Sequence, residues 1–259
     1  MDFGIAGRKA IVCASSRGLG RGCAFRLAEA GCEVVVNGRD KAATETTAAE
    51  IAKATGAKVI PVVADIGTAE GQAALFAACP EPDILVNNNG GPPFRDFREL
   101  DREKLIAGVT GNMIVAIELI QKPIGPMQAK KFGRIVNITS SSVKAPIGGL
   151  DLSSGARAGL TAFLAGVARQ VAGDNVTINF LLPGSFATAR AQSGIALEAK
   201  QRGISEAEVR TMREARIPAK RLGDPDEFGA ACAFLCSAQA GYITGQNLLI
   251  DGGNYPGAF

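Results

Sequence analysis

Short apolar runs alternate with longer segments of helical periodicity along most of the chain. This alternation is typical of strand–helix–strand units built around a parallel sheet. It predicts strands at Ala10–Ala14, Glu33–Val36, Lys58–Val63, Asp83–Val86, Arg134–Ile138, Val176–Phe180 and Asn247–Ile250. Helices are predicted between them, over Leu19–Ala30, Lys41–Ala54, Ala69–Ala78, Asp101–Gln121, Ser154–Ala172 and Asp226–Ser237. We therefore expect one doubly wound α/β domain over residues 1–259, a parallel sheet of about seven strands with helices on both faces.

The segment Arg190–Ile217 departs from this alternation and carries many charges. It is either a small helical cap over the edge of the sheet or a solvated excursion. Long insertions in compact domains tend to be functional, which favours a cap that contacts the substrate. Its six positive side chains would suit an acidic substrate, or would simply face water; they are Arg190, Lys200, Arg202, Arg210, Arg213 and Arg216.

Composition excludes several classes of protein. With 47% hydrophobic and 20% charged residues, the chain is too apolar to be disordered. No run approaches the ~18 apolar residues that span a membrane, and the N-terminal residues lack the apolar core of a signal peptide. We therefore expect a cytoplasmic protein with no membrane partner. A net charge of +3, from 28 basic and 25 acidic residues, provides no overall field for binding nucleic acid.

The chain has six cysteines without a C-x-x-C pair, and it has no histidine. This pattern predicts reduced thiols in the core. Without histidine, Ser-His-Asp and Cys-His triads are excluded, and Cys232 and Cys236 lack the further ligands that zinc needs. We expect no metal site, and any chemistry must depend on other groups.

A glycine-containing turn, Cys13–Gly20, joins the first predicted strand to the first helix. Backbone N–H groups in such a turn can approach a pyrophosphate, although the same turn also serves as a simple connection. After the second strand, where a fold that selects NAD usually places a carboxylate, the chain has Gly38 and Arg39. Arg39 and Arg17 can together hold a 2′-phosphate. The pattern favours NADP(H) over NAD(H), the alternative being two solvated arginines.

Residues 5–253 resemble a classical short-chain dehydrogenase/reductase of the 3-oxoacyl-carrier-protein reductase-like kind. The turn Cys13–Gly20 is similar to the family's T-G-x-x-x-G-x-G loop, with Cys13 and Ala14 in place of Thr and the first Gly. Asn87–Gly90 matches N-N-A-G with Asn89 in place of Ala, and Pro183–Thr188 matches P-G-x-x-x-T. Further matches are Asp65 in Ala64–Ile66, Gly245–Gln246 and Asp251–Gly253. The resemblance implies a Rossmann-type domain, a small-molecule substrate and a homodimer or homotetramer.

The resemblance also implies where the cofactor lies. It assigns adenine to the neighbourhood of Asp65 and the nicotinamide end to the segment 183–188. With the two arginines, the candidate cofactor-binding residues are Ala14, Ser16, Arg17, Gly18, Leu19, Gly20, Arg39, Asp65, Ile66, Asn88, Gly90, Arg157, Pro183, Gly184, Phe186 and Thr188.

The family's catalytic tetrad of Asn, Ser, Tyr and Lys is only half present. Asn112 and Ser140 match the first two members. Ser153 stands where the Tyr is expected and Arg157 where the Lys is expected, and the only tyrosines, Tyr242 and Tyr255, lie near the C-terminus. The usual proton donor is therefore missing.

The replacements keep a cation but no strong acid. Arg157 can bind hydroxyl groups and stabilise negative charge, but it does not transfer protons at neutral pH. Ser153 can relay a proton through water, or it can be a helix N-cap without a catalytic role. Lys144, close to the retained Ser140, is an alternative donor, or a loop lysine that faces water.

Two functions follow from these observations. The first is a divergent NADP(H)-dependent oxidoreductase that acts on a carbonyl, an alcohol or an activated double bond. A quinone or enone would need the missing Tyr least, because its reduction gives a stabilised anion. The second is an NADP(H)-binding scaffold or sensor without catalysis. The retained Asn112 and Ser140 favour the enzyme.

Overall fold

A computed structural model describes residues 2–258, and the alternation of apolar runs becomes one parallel sheet. Its strands are β1 (Lys9–Val12), β2 (Glu33–Gly38), β3 (Val59–Val63), β4 (Ile84–Asn87), β5 (Gly133–Ile138), β6 (Val176–Pro183) and β7 (Asn247–Ile250). They lie in the order β3-β2-β1-β4-β5-β6-β7. The chain changes direction across the sheet between β1 and β4, and in such folds ligands bind at the carboxyl ends of the strands beside this switch point. The predicted Rossmann-type α/β architecture is confirmed.

Ten α-helices connect the strands within the described residues. They are α1 (Gly18–Glu29), α2 (Lys41–Thr55), α3 (Ala69–Ala78), α4 (Arg102–Val109), α5 (Val115–Gln121), α6 (Ile124–Ala129), α7 (Asp151–Val171), α8 (Ala189–Arg202), α9 (Glu206–Arg216) and α10 (Pro225–Cys236). Two separate apolar clusters fill the space between these helices and the two faces of the sheet. None of the helices over residues 2–258 combines the length and apolar character that a membrane crossing requires.

Several predicted boundaries are wrong, and three differences matter for the site. The first strand ends at Val12 because Ala14 has a left-handed backbone, with φ of 44°, which cannot continue an extended strand. The predicted helix 101–121 is not a single α-helix, since a π-helical turn at Thr110–Ile114 separates α4 from α5. Helix α7 begins at Asp151 with Leu150 as its N-cap, so Ser153 lies inside the first turn and is not the N-cap.

Helices α1 and α10 pack closely because two glycines allow it. A Cβ at Gly22 would lie 2.2 Å from the carbonyl oxygen of Pro225, and one at Gly229 would lie 2.2 Å from that of Gly22. Asp224 caps α10 and forms a capping box with Glu227. This packing fixes α1, the helix that follows the glycine-containing turn, against the body of the fold.

All six cysteines are free and buried. Burial raises the pKa of Cys13 and Cys32 to about 12, so both thiols stay protonated at neutral pH. Among residues 2–258, no cluster of three or more His, Cys, Asp and Glu side chains is arranged to hold a metal ion.

The segment 190–217 is helical and forms α8 and α9, which share a small apolar cluster of Ile195, Ala199 and Val209. Three of its six cations are neutralised inside the pair: Arg202 and Arg213 bind Glu198, and Arg210 binds Glu214. The two ends of the excursion meet at a narrow neck. There the N–H of Ala187 donates to the carbonyl of Gly223 at 2.9 Å, and the N–H of Gly223 donates to that of Ser185 at 3.0 Å.

Candidate active site

The turn after β1 is shaped by a buried asparagine on β2. The Oδ1 of Asn37 accepts a hydrogen bond from the N–H of Ala14 at 3.1 Å, and its Nδ2 donates to the carbonyls of Val62 and Ala64. On the other side, the Nδ2 of Asn88 donates to the carbonyl of Ala14 at 3.0 Å. Both backbone groups of Ala14 are thus held by side chains from neighbouring strand ends, and this fixes its left-handed conformation.

We expect Ala14→Gly to stabilise the protein by about 0.5–1 kcal/mol, because an L-residue in the left-handed region is strained and glycine is not. In a domain of this size the melting temperature should rise by about 1–4 °C. Thermal unfolding would measure the change. The same substitution at Ala49, an exposed position inside α2, is the matched control and should lower stability by up to about 1 kcal/mol. A lower melting temperature for Ala14→Gly would contradict the prediction.

The beginning of α1 is open to an anion. Its N-cap, Arg17, makes no side-chain capping bond, and its first turn has no acidic residue. Gly18 has a left-handed backbone, with φ of 57°, and Gly20 has no room for a Cβ, which would lie 2.4 Å from the carbonyl oxygen of Ala14. The free N–H groups of such a helix start can bind a phosphate.

The two arginines predicted to bind a 2′-phosphate lie beside carboxylates. Arg17 Nη2 is 2.7 Å from Asp40 Oδ2, and Arg39 Nη1 is 3.6 Å from Asp65 Oδ2. All four side chains are well exposed, so these ion pairs are weak. A phosphate at this end of the turn would compete with the carboxylates for both guanidinium groups.

A polar loop follows β4 and crosses the switch point. The Nδ2 of Asn89 donates to the carbonyl of Gly111 at 2.9 Å, and its Oδ1 accepts from the N–H of Gly90. The amide that replaces the family's Ala therefore ties this loop to the π-helical turn. A Cβ at Gly90 would meet no atom within 4 Å, so the space above the loop is open.

Ser153 and Arg157 lie one helical turn apart on α7 and contact each other. Arg157 Nε donates to Ser153 Oγ at 3.1 Å, and Nη1 donates to the carbonyls of Ile138 and Thr139 at 2.9 and 2.7 Å. Burial of the guanidinium, with a smaller contribution from Arg190, lowers the pKa of Arg157 to about 10. Arg157 is therefore still a cation at neutral pH, held between the end of β5 and Ser153.

Asn112 lies in the π-helical turn and supplies an unused acceptor. Its Nδ2 donates to the carbonyl of Gly108 at 3.0 Å, whereas its buried Oδ1 has no hydrogen-bond partner among the described residues. Burial of a polar atom without a partner is costly, and π-helical turns are frequent at functional sites. The Oδ1 is therefore free to accept a hydrogen bond from a ligand in the crevice.

Two adjoining cavities meet at Asn112. A narrow crevice at the carboxyl ends of β4 and β5 is lined by Ile66, Asn88, Asn112, Asn137 and Arg157, among others. A larger cavity of about 320 Å³ lies between the loop after β4 and the start of α7, and Ser153 lines it together with Asn112. The structure thus brings Asn112, Ser153 and Arg157 together.

Ser140 and Lys144 follow β5 just after Thr139, whose carbonyl binds Arg157, and Ser140 lines neither of the two cavities. Ser140 Oγ accepts from the N–H of Ser142 and caps a short 3-10 helix, Ser141–Val143. The ammonium group of Lys144 lies 5.7 Å from the centre of the Tyr255 ring, and Lys144 lines neither of the two cavities. This position does not favour Lys144 as the proton donor.

The segment 183–188 passes close to the start of α1. Thr188 caps α8, and a Cβ at Gly18 would lie 3.4 Å from Thr188 Cγ2. A Cβ at Gly184 would lie 2.6 Å from the Cβ of Asp251. Phe186 is buried and packs edge-to-face on Phe228, with ring centres 5.3 Å apart, so its side chain belongs to the core.

Sequence reasoning missed several residues that shape the site. Asn37 carries no distinctive signal in the sequence beyond being a polar residue directly after an apolar run. Arg190 was identified only as one of six cap cations. A Cβ at Gly91 would lie 3.3 Å from Arg190 Nη1 and 3.5 Å from Arg157 Nη2, so the two cations flank the loop after β4.

Comparisons with known proteins identify the family of this chain. The family described as enoyl-(acyl carrier protein) reductase matches residues 13–254. The NADPH-dependent reductase BacG of Bacillus subtilis is 32% identical over 95% of this chain and 97% of its own length. The 3-oxoacyl-[acyl-carrier-protein] reductase FabG of Aquifex aeolicus is 30% identical over 98% of this chain and 100% of its own length. The crystal structure of L-sorbose reductase from Gluconobacter frateurii, complexed with NADPH and L-sorbose, superposes with a TM-score of 0.94 at 27% identity, over 99% of this chain and 100% of that one. The chain thus belongs to the short-chain dehydrogenase/reductase family.

Proposed function

We propose that this chain is an NADP(H)-dependent oxidoreductase that transfers hydride between nicotinamide and a carbonyl, an alcohol or an activated double bond, with a proton donor other than tyrosine. The observation that carries the proposal is the hydrogen-bonded pair Ser153 and Arg157 beside the unpaired Oδ1 of Asn112. BacG is described as an NADPH-dependent reductase, and the structure of L-sorbose reductase contains NADPH, which supports the choice of cofactor.

The described residues fit a dinucleotide. The uncapped start of α1, the open space above Gly90 and the unpaired Asn112 Oδ1 follow one another along the carboxyl edge of the sheet. Arg17 and Arg39 would hold a 2′-phosphate, the N–H groups of Gly18–Gly20 the pyrophosphate, and residues near Asn88, Gly90 and Thr188 the nicotinamide end. NADPH bound there supplies the hydride.

The roles of Arg157 and Ser153 follow from their contacts. Arg157 stabilises the negative charge that develops on the substrate oxygen. Ser153 accepts a hydrogen bond from Arg157 Nε, and among residues 2–258 its hydroxyl donates to no protein acceptor. That O–H group is available to the substrate oxygen, and the contact with a guanidinium strengthens it as a donor.

This arrangement favours an enone or quinone over a simple ketone. Serine is a weak acid, so it can donate a hydrogen bond but cannot easily give up its proton. Hydride addition to an enone gives an enolate, which Arg157 and Ser153 can stabilise until water protonates it. The two electrons and the hydrogen come from NADPH, and the proton comes from solvent.

Titration with NADPH and then NADH, followed by the fluorescence of the reduced nicotinamide, tests the cofactor. We expect the double variant Arg17→Gln, Arg39→Gln to weaken NADPH binding about 10- to 100-fold, because each lost charged hydrogen bond is worth about 1.5–3 kcal/mol before solvent screening reduces it. NADH binding should change little. Arg21→Gln is the matched control, since Arg21 lies on α1 and pairs with Glu50.

Equal losses for both cofactors would contradict the 2′-phosphate role of the two arginines. A screen of carbonyls, quinones and enones then tests turnover. NADPH binding without turnover of any of them would support the scaffold or sensor instead, and binding of neither cofactor would overturn the proposal.

We also propose that 190–217 acts as the substrate cap, that the protein forms a homodimer or homotetramer, and that it is cytoplasmic. Phe163 on α7 is 50% exposed, and Leu248 on the edge strand β7 is 39% exposed. Apolar side chains on a long helix and on an edge strand favour burial against a second copy. Light scattering after size-exclusion chromatography would measure the oligomeric state. A monomer at micromolar concentration would contradict the proposed homodimer or homotetramer.

A further inference from the structure

The 320 Å³ cavity has a buried polar end and an apolar middle. Asn112 and Ser153 stand at its buried end, with exposed fractions of 9% and 6%. Its side walls are mainly apolar and include Pro92, Pro93, Leu100, Ala107, Leu150 and Leu152. A cavity of this size and lining holds a small organic molecule with its reacting oxygen near Ser153.

The charged side chains that line this cavity all carry the same sign. They are Arg95 and Lys104, and no carboxylate is among the described lining residues. Lys104 is bound to Asp101, the N-cap of α4. The guanidinium of Arg95, by contrast, has neither a hydrogen bond nor an ion pair among residues 2–258, while its backbone N–H donates at 2.9 Å to the carbonyl of Gly149, another lining residue.

Of the two cations that line the cavity, Lys104 is paired, whereas the guanidinium of Arg95 has no partner among residues 2–258. Arg98, three residues further along the same loop, is also exposed but binds Asp96 at 3.1 Å. Arg190, on the other side of the loop, donates to the carbonyl of Pro92. Arg95 is exposed and lines the same cavity as the buried Ser153, and a guanidinium matches a carboxylate in geometry and charge.

We propose that the substrate is a carbonyl or enone compound that carries a carboxylate, and that Arg95 binds this carboxylate at the mouth of the cavity. The apolar walls hold the carbon skeleton, and Ser153 and Asn112 receive the reacting end. This inference rests on the proposed function, because it takes the cavity as the place where hydride is accepted.

Benzoylacrylate and its methyl ester are a matched pair for the test. Both are enones of nearly the same shape, and the ester is intrinsically the more reactive acceptor, so a preference for the acid must come from the protein. The buried cysteines leave no accessible thiol among the described residues to react with either compound. We expect NADPH-dependent reduction of the acid with a kcat/KM at least about tenfold higher than for the ester.

Arg95→Gln should remove this preference. The substitution should raise KM for the acid about tenfold and change KM for the ester by less than about twofold. Arg98→Gln is the control and should leave kcat/KM unchanged for both the acid and the ester. An ester preference in the unchanged protein, or equal effects of Arg95→Gln on acid and ester, would overturn the inference.

Equilibrium binding separates this inference from the proposed function. The saturated compounds, benzoylpropionate and its methyl ester, cannot accept hydride at a double bond, and calorimetry would measure their binding to the protein loaded with NADP⁺. Tighter binding of the acid, lost in Arg95→Gln, would support the carboxylate site even if no turnover occurs. Turnover of the ester with equal binding of both compounds would support the oxidoreductase and overturn the carboxylate site.

Discussion

Replacement of Arg157 by methionine is expected to lower kcat/KM for reduction about 100- to 1,000-fold. Loss of one donor that stabilises a developing oxyanion typically has an effect of this size, equivalent to about 2.7–4 kcal/mol. The variant removes the cation and also the Nε–H group that binds Ser153. Methionine keeps most of the side-chain length, so the space beside β5 stays filled. NADPH binding should weaken by no more than about tenfold.

The variant also loses the donor to the carbonyls of Ile138 and Thr139, so its stability needs a separate measurement. Unpaired buried carbonyls cost about 1–3 kcal/mol, which thermal unfolding would detect. Arg157→Lys is the informative second variant, because it restores a cation without the planar fork and should recover at least about tenfold of the lost activity. A folded Arg157→Met protein with near-normal kcat/KM would show that Arg157 is only structural.

The dependence of activity on pH distinguishes a catalytic role of Arg157 from a structural one. Arg157 is charged below its pKa of about 10 and becomes neutral above it. If the cation stabilises the substrate oxygen, activity should fall as pH rises through about 10. In Arg157→Met this alkaline decline should be absent from the residual activity, provided that both proteins remain folded over the range.

Gly20→Ala is expected to weaken NADPH binding by at least about 100-fold. The added Cβ would lie 2.4 Å from the carbonyl oxygen of Ala14 and 2.9 Å from the Cα of Ser15. The carbonyl of Ala14 is held by Asn88, and the N–H groups of Ala14 and Ser15 are both bound to Asn37, so this backbone cannot move without opening the turn. The loop that approaches the pyrophosphate would be displaced, and the N–H groups of α1 would no longer converge on it.

Fluorescence titration with NADPH measures this loss. Gly125→Ala on α6 is the matched control: a Cβ there meets no atom within 4 Å, so NADPH binding should be unchanged and stability should rise slightly. Unaltered NADPH affinity in a folded Gly20→Ala protein would show that the cofactor does not approach this turn.

The sheet could be predicted because buried strands require short apolar runs and the helices between them require a helical period of apolar residues. All seven strands appear in the sequence as such apolar runs. The left-handed backbone of Ala14 could not be predicted from the sequence, because it depends on the side-chain amides of Asn37 and Asn88, which are distant along the chain. The π-helical turn at Thr110–Ile114 was hidden for a different reason. One wider turn barely disturbs the apolar period of a helix, although it redirects the side chain of Asn112.

The candidate site was accessible from the sequence only in part. Motif spacing singled out Asn112, Ser153 and Arg157, which the fold brings together. It gave no indication that Arg95 and Lys104 line the same cavity, since they reach it from a loop and a helix whose placement depends on tertiary packing. The contribution of Ser153 likewise depends on where α7 begins, and helix ends are set by local capping more than by periodicity.

The neck formed by Ser185, Ala187 and Gly223 makes the two helices between them a replaceable module. Both ends of the excursion leave the sheet at one place and are pinned there by main-chain hydrogen bonds, which any sequence can form. Residues 189–222 can therefore be exchanged for the corresponding segment of a relative while Thr188 and the cofactor turn are kept. Chimeras cut at this neck offer a route to new substrate preferences on an unchanged hydride-transfer scaffold, and they confine the engineering to one contiguous stretch of the gene.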